Sequence, residues 1–150
     1  MKKILIKAYY LFLPIILGSI VGLLISNSID YPVLDKPPLS PPKILFPIVW
    51  SIIYLLMGIS YLIYKNKEDN RENNIIYYLQ LFVNLLWSII FFLFKWRFVS
   101  ILWIILLDVL IIKTMKHIKE YSKISFYLFI PYLIWTLFAT YLTIGIFILN

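Results

Sequence analysis

Cysteine is absent, histidine occurs once, and 7 of the 150 residues are acidic. Without thiols there is neither a disulfide framework nor a thiolate metal site, and the redox compartment stays open. A single His and so few carboxylates fit no protein-only metal centre, and none is expected. Charged residues make up 14% of the chain and hydrophobic ones 63%, against roughly a quarter and a half in soluble domains. A soluble fold of this length could not hide so much apolar surface, which excludes the ordinary globular enzyme classes. The net charge of +7 suggests nucleic acid only at first sight. The Lys and Arg residues lie in short gaps between apolar runs and form no basic stripe, so no nucleic-acid partner is expected.

What the chain does have is long apolar runs. Five segments, about Leu5 to Ser26, Ile44 to Tyr64, Asn74 to Phe94, Phe98 to Met115 and Ile124 to Leu149, each approach the ~20 residues a helix needs to cross a bilayer. An open strand cannot satisfy its backbone in lipid, so the expected fold class is an all-α membrane protein, a bundle of five transmembrane helices in one domain over 1–150. Met1-Lys2-Lys3 before an apolar stretch has the look of a signal peptide. The run to Ile25 is long and carries no small-x-small cleavage site, so it is read as a retained first helix.

The connectors differ in kind. Residues 27–43 hold Pro32, Pro37, Pro38, Pro41 and Pro42, which forbid a continuous helix and make a stiff loop. The run from Lys65 to Asn73 reads as a solvated turn, Lys95-Trp96-Arg97 as a tight antiparallel link with Trp96 near the interface, and Lys116 to Lys123, with His117, as a headgroup-level loop. Ten of the 14 Lys and Arg residues fall on the side of the N-terminus. By the positive-inside rule that side is cytoplasmic in a bacterial plasma membrane, with the proline-rich loop and the C-terminus outside.

Polar groups inside apolar runs mark the places where helices need partners: Gln80, Asn84 and Asp108. Gln80, Asn84, Trp87 and Phe91 fall within about 60° of one helical face at 100° per residue. Trp50, Tyr54 and Gly58 share a face of the second helix, and Pro131, Trp135 and Ala139 share one of the fifth. Aromatic residues beside small ones suit close helix packing, which is the commoner use, or a flat conjugated ligand held between rings. Asp108 reads as an interhelical hydrogen-bond anchor rather than one step of a proton relay.

These residues also compose a known pattern. Tyr31-x-x-Leu34-x-Lys36-Pro37, Pro41-Pro42, Phe46, Val49-Trp50, Tyr54 and Met57-Gly58 are followed in order by Gln80-Leu81-x-x-Asn84-x-x-Trp87 and Phe91-Phe92. Asp108 and Pro131-Tyr132-x-x-Trp135-x-x-x-Ala139-Thr140-Tyr141-Leu142 complete it. The set resembles the TspO/MBR (translocator protein, tryptophan-rich sensory protein) family over Tyr31 to Leu142. The sequence departs from the family pattern at Leu39, where Trp is frequent, and at Thr143, where Asn is. The resemblance implies a five-helix bundle, often a homodimer, whose first loop lids a pocket for porphyrins and similar flat hydrophobic ligands. Carried over by position, the ligand-binding residues are Tyr31, Trp50, Tyr54, Asn84, Trp87, Phe91, Trp135 and Ala139, with Lys36 a candidate for meeting a propionate. The implied function is a tetrapyrrole sensor, receptor or transporter, with porphyrin as ligand and no obligatory cofactor. Light- and oxygen-dependent porphyrin degradation, with Trp50 and Trp135 as redox-active rings, is the enzymatic alternative. A purely structural membrane partner is the third.

Overall fold

A computed structural model describes residues 1–67 and 71–150. Helices α1 (Lys2–Ile25), α2 (Leu45–Lys67), α3 (Arg71–Ser88), α4 (Arg97–Tyr121) and α5 (Lys123–Leu149) account for most of them, and five helical stretches are long and apolar enough to span a membrane. The protein is a five-helix transmembrane bundle. Around it, α1 packs on α2, α2 on α5, α5 on α4 and α4 on α3, while α3 meets α1 more sparsely.

Helix ends differ from those expected. Helix α1 begins at Lys2 rather than Leu5, and α2 runs to Lys67 while α3 starts at Arg71, so most of the expected turn over Lys65 to Asn73 is helical and its residues 68–70 lie outside the described residues. The fourth connector is almost absent: α4 continues through His117 to Tyr121, and Ser122 alone separates it from α5. Lys and Glu extend a helix readily once it leaves the hydrocarbon, and Ser122 starts α5 by accepting the N–H of Ser125 at 3.2 Å. The third helix does not run to Phe94 as a regular α-helix. Residues Ile89–Leu93 widen into a π turn, with Phe94 N–H donating to Ile89 C=O at 3.0 Å and Trp96 N–H to Ile90 C=O at 3.1 Å. Widening changes which carbonyls find partners, and Arg97 answers this by donating to the Phe91 carbonyl at 2.8 Å while its guanidinium stacks on the Phe91 ring. The turn lets Phe92, beside Phe91, reach the interior.

Hydrogen bonds tie the helices together where lipid offers none. Ser60 and Ser125 each donate to the other's carbonyl, at 2.7 and 2.9 Å, joining α2 to α5. Thr140 donates to Asp108 at 2.7 Å, so the acidic group inside the membrane anchors α4 to α5. Trp103 donates to Val83 C=O at 2.8 Å between α4 and α3. The half of the bundle near the N-terminus is packed with tyrosines, including a stack of Tyr61 on Tyr77 with ring centroids 3.8 Å apart.

Gly58 fixes how closely α1 approaches. A Cβ there would run into the carbonyl of Leu11, whereas one on Gly22, nearer the other end of α1, would meet nothing within 4 Å. Gly58→Val should therefore cost about 1–3 kcal/mol of stability by overpacking, and Gly22→Ala should cost little. Unfolding followed by circular dichroism in detergent checks this; equal stability of the two variants would contradict the packing described.

Candidate functional site

The proline-rich connector folds back over one end of the bundle as two short 3-10 turns, Ser26–Ser28 and Tyr31–Val33, joined by extended chain. Its own groups hold it in shape. The Tyr31 hydroxyl donates to Pro41 C=O at 2.7 Å, and the Lys36 ammonium donates to the carbonyls of Leu34 and Tyr31 at 2.7 and 3.1 Å. Burial raises the Tyr31 pKa above that of an ordinary phenol, against a smaller opposing effect of the Ser40 hydroxyl, so the group remains a neutral donor. Contacts with the helices hold the connector in place. Arg97 pairs with Asp30 at 2.6 Å, Tyr141 donates to Pro38 C=O at 2.8 Å, and Asn150 exchanges two hydrogen bonds with the Asp35 backbone. Pro37 lies against Gly145, where any side chain would collide with it.

Beneath the connector, α1, α2 and α3 part to leave a cavity of about 710 Å³, within the ~300–1,000 Å³ typical of small-molecule sites. Tyr31, Trp50, Tyr54 and Trp87 line it, with Phe46 and Phe92. Trp50 and Tyr54 present stacked rings, centroids 5.5 Å apart, and Trp87 stacks on Phe91 at 5.2 Å. A second gap of about 20 Å³ lies beside it, bordered by Phe91, Ala139 and Thr143. Tyr31, Phe46, Trp87 and Phe92 border both spaces and so form the partition between them.

Of the eight residues chosen from the sequence, four therefore meet at the larger cavity, and Phe91 and Ala139 lie across the partition. Asn84 and Trp135 are not in the wall of either space. Trp135 backs the site, edge-on to Trp50 at 6.4 Å and to Phe46 at 5.8 Å. Asn84 is spent on a buried chain of hydrogen bonds: Tyr54 donates to its Oδ1 at 2.7 Å, and its Nδ2 donates to the Tyr132 hydroxyl at 2.8 Å. Tyr132 donates in turn to Gln80 Oε1 at 2.8 Å. An amide inside lipid must pair, and here both its oxygen and its nitrogen pair with tyrosine hydroxyls. The chain fixes the tilt of the Tyr54 ring that faces the cavity.

Lys36 is likewise committed to its own loop and is absent from the cavity wall. The lining cation is Lys43. Sequence reasoning also passed over α1, which contributes Ile15, Gly18, Ser19, Val21 and Gly22, because these are ordinary residues for a helix in lipid. The mark that could have revealed them is the pair Gly18 and Gly22, two of only four glycines. At the two departures from the family pattern, Leu39 stands 86% exposed at a left-handed φ of 67°, and Thr143 donates to Ala139 C=O at 2.7 Å.

Fold and site define a polytopic membrane protein with an aromatic cavity under a proline-rich connector. The TspO/MBR family model matches residues 10–149, almost the whole chain and most of α1 with it. The chain belongs to the TspO/MBR family. It is 38% identical to the tryptophan-rich protein TspO of Archaeoglobus fulgidus, over 80% of this chain and 79% of that one. With the protein of the same name from Chlorobaculum tepidum it shares 36% identity over 80% and 78%. The tryptophan-rich sensory protein of Cereibacter sphaeroides is 30% identical over 79% of this chain and 75% of its own.

The buried tyrosines offer a paired check. Tyr132→Phe strands the Asn84 donor and the Gln80 acceptor and should destabilise by about 1–3 kcal/mol. The Tyr77 hydroxyl is buried with no partner among the described residues, so Tyr77→Phe should be neutral or stabilising. Chemical denaturation of both variants decides it; the opposite order would contradict the network.

Proposed function

We propose that this protein is a membrane receptor or sensor for a flat, largely apolar conjugated molecule of the tetrapyrrole type, bound without covalent chemistry. The observation that carries the proposal is the 710 Å³ cavity walled by Tyr31, Trp50, Tyr54 and Trp87, whose ring faces offer stacking surface to a macrocycle. Most hydroxyls in that wall are already satisfied by protein: Tyr31, Tyr54, Ser19 and Ser51 all donate to carbonyl or amide oxygens. Polar recognition is thus sparse, as suits a ligand that is mostly hydrocarbon. A relative bears the name tryptophan-rich sensory protein, which agrees with a reporting role.

Size and charge refine the proposal. A tetrapyrrole larger than the open cavity gains the space beside Ala139 by turning the partition of Tyr31, Phe46, Trp87 and Phe92. Lys43 is the charged group at the rim, so it, rather than Lys36, meets an acidic substituent. The proposed setting is a homodimer in a bacterial plasma membrane with the N-terminus cytoplasmic, since Lys and Arg concentrate on that side.

Protoporphyrin IX added to the purified protein should quench tryptophan fluorescence saturably. Gly22→Phe, which fills open space in the cavity, should weaken the half-saturation point about tenfold or more. Unchanged spectra at high porphyrin, or equal binding by Gly22→Phe, would reject the site. Lys43→Gln should weaken protoporphyrin IX several-fold while leaving its dimethyl ester unaffected, a difference of about 1 kcal/mol expected of one exposed charge pair.

A further inference from the structure

The cavity has an opening, and the opening lies between two helices. Leu23 and Ile44 stand at its rim, 77% and 68% exposed, with Ser19, Gly22, Pro47 and Ser51 also exposed beside them. Helices α1 and α2 touch where Gly58 meets Leu11 and where Gly18 meets the Tyr54 ring. Toward the connector they separate. Trp87, Ser88 and Phe92 from α3 and the π turn are buried or half-buried and form the floor.

Depth follows from helical rise. Ser19 lies six residues in from Ile25 at the end of α1, and Ser51 six in from Leu45 at the start of α2. At 1.5 Å per residue the opening runs about 9 Å along each helix, inside the ~15 Å half-thickness of a bilayer's hydrocarbon. The rim is made for that setting. The Ser19 and Ser51 hydroxyls donate back to Ile15 and Pro47 carbonyls, both at 2.7 Å, so neither hydroxyl presents an unmet donor to lipid.

The route from water is obstructed. The connector is latched to α4 by Asp30 with Arg97, and to the far end of α5 by Pro38 with Tyr141, Asp35 with Asn150, and Pro37 against Gly145. Lifting it would break all of these together.

We infer that ligand reaches the cavity sideways from the bilayer, between α1 and α2, while the connector stays latched. The partners of this site are therefore molecules that dissolve in the membrane, and the protein samples lipid rather than the water outside it. The inference rests on the binding proposed above.

The test adds protoporphyrin IX to the protein in vesicles, where the porphyrin partitions into the bilayer, and follows association by tryptophan quenching. Tyr141→Phe combined with Asn150→Ala removes the latch hydrogen bonds to Pro38 and Asp35, so a route that needed the connector to lift would become faster. The loosened and unmodified proteins should associate at rates equal within about twofold. Ser51→Phe, on the lipid-facing rim, should slow association about tenfold, with circular dichroism confirming that it folds. A rate that rises several-fold when the latch is loosened, or one that Ser51→Phe leaves untouched, would overturn the lateral route. Absence of saturable quenching in the unmodified protein would overturn the binding site itself, and the route with it.

Discussion

Inside a bilayer no water is available to satisfy a polar group, and every feature of this protein answers to that constraint. It makes the backbone helical five times over. It turns several polar side chains in the spans into links between helices and folds others, such as Ser19, Ser51 and Thr143, back onto carbonyls of their own helix. Asp108 with Thr140, Ser60 with Ser125, and the chain from Tyr54 through Asn84 and Tyr132 to Gln80 all have this origin. Lipid removes the usual hydrophobic advantage of helix association, so such links and close packing at Gly58 do more of the holding than they would in water.

The same constraint divides the bundle into two halves. Near the N-terminus the space between helices is filled by stacked tyrosines and methionine side chains. Toward the connector, where α1 makes only sparse contact with α3, the space is left open and walled by tryptophan and tyrosine faces. The hydrogen-bond chain lies at the boundary. By holding Tyr54 it gives the cavity a rigid edge, and by consuming its own donors it leaves that edge nearly apolar.

Much of this was legible in the sequence, for a physical reason. Apolar run length is a local property, so the number of spans and their approximate ends could be read directly. Buried amides such as Gln80 and Asn84 announce themselves because they are costly in lipid. What a side chain is paired with is not local. Asn84 and Lys36 look available in sequence, yet both are committed, to Tyr132 and Tyr54 in one case and to the connector's own carbonyls in the other. The α1 wall was hidden because Ile15, Val21 and Gly22 are what any lipid-facing helix would carry. The π turn was hidden too. It depends on Arg97, which lies in the next helix and bonds the Phe91 carbonyl.

The central claim is that the aromatic cavity between α1, α2 and α3 is the ligand site. A structure of the protein bound to protoporphyrin IX tests it most directly. The macrocycle is expected against the Trp50 and Tyr54 rings, with its edge beside Gly22 of α1 and its acidic groups toward Lys43. A macrocycle bound on the outer surface of the helices, with the cavity still open, would contradict it.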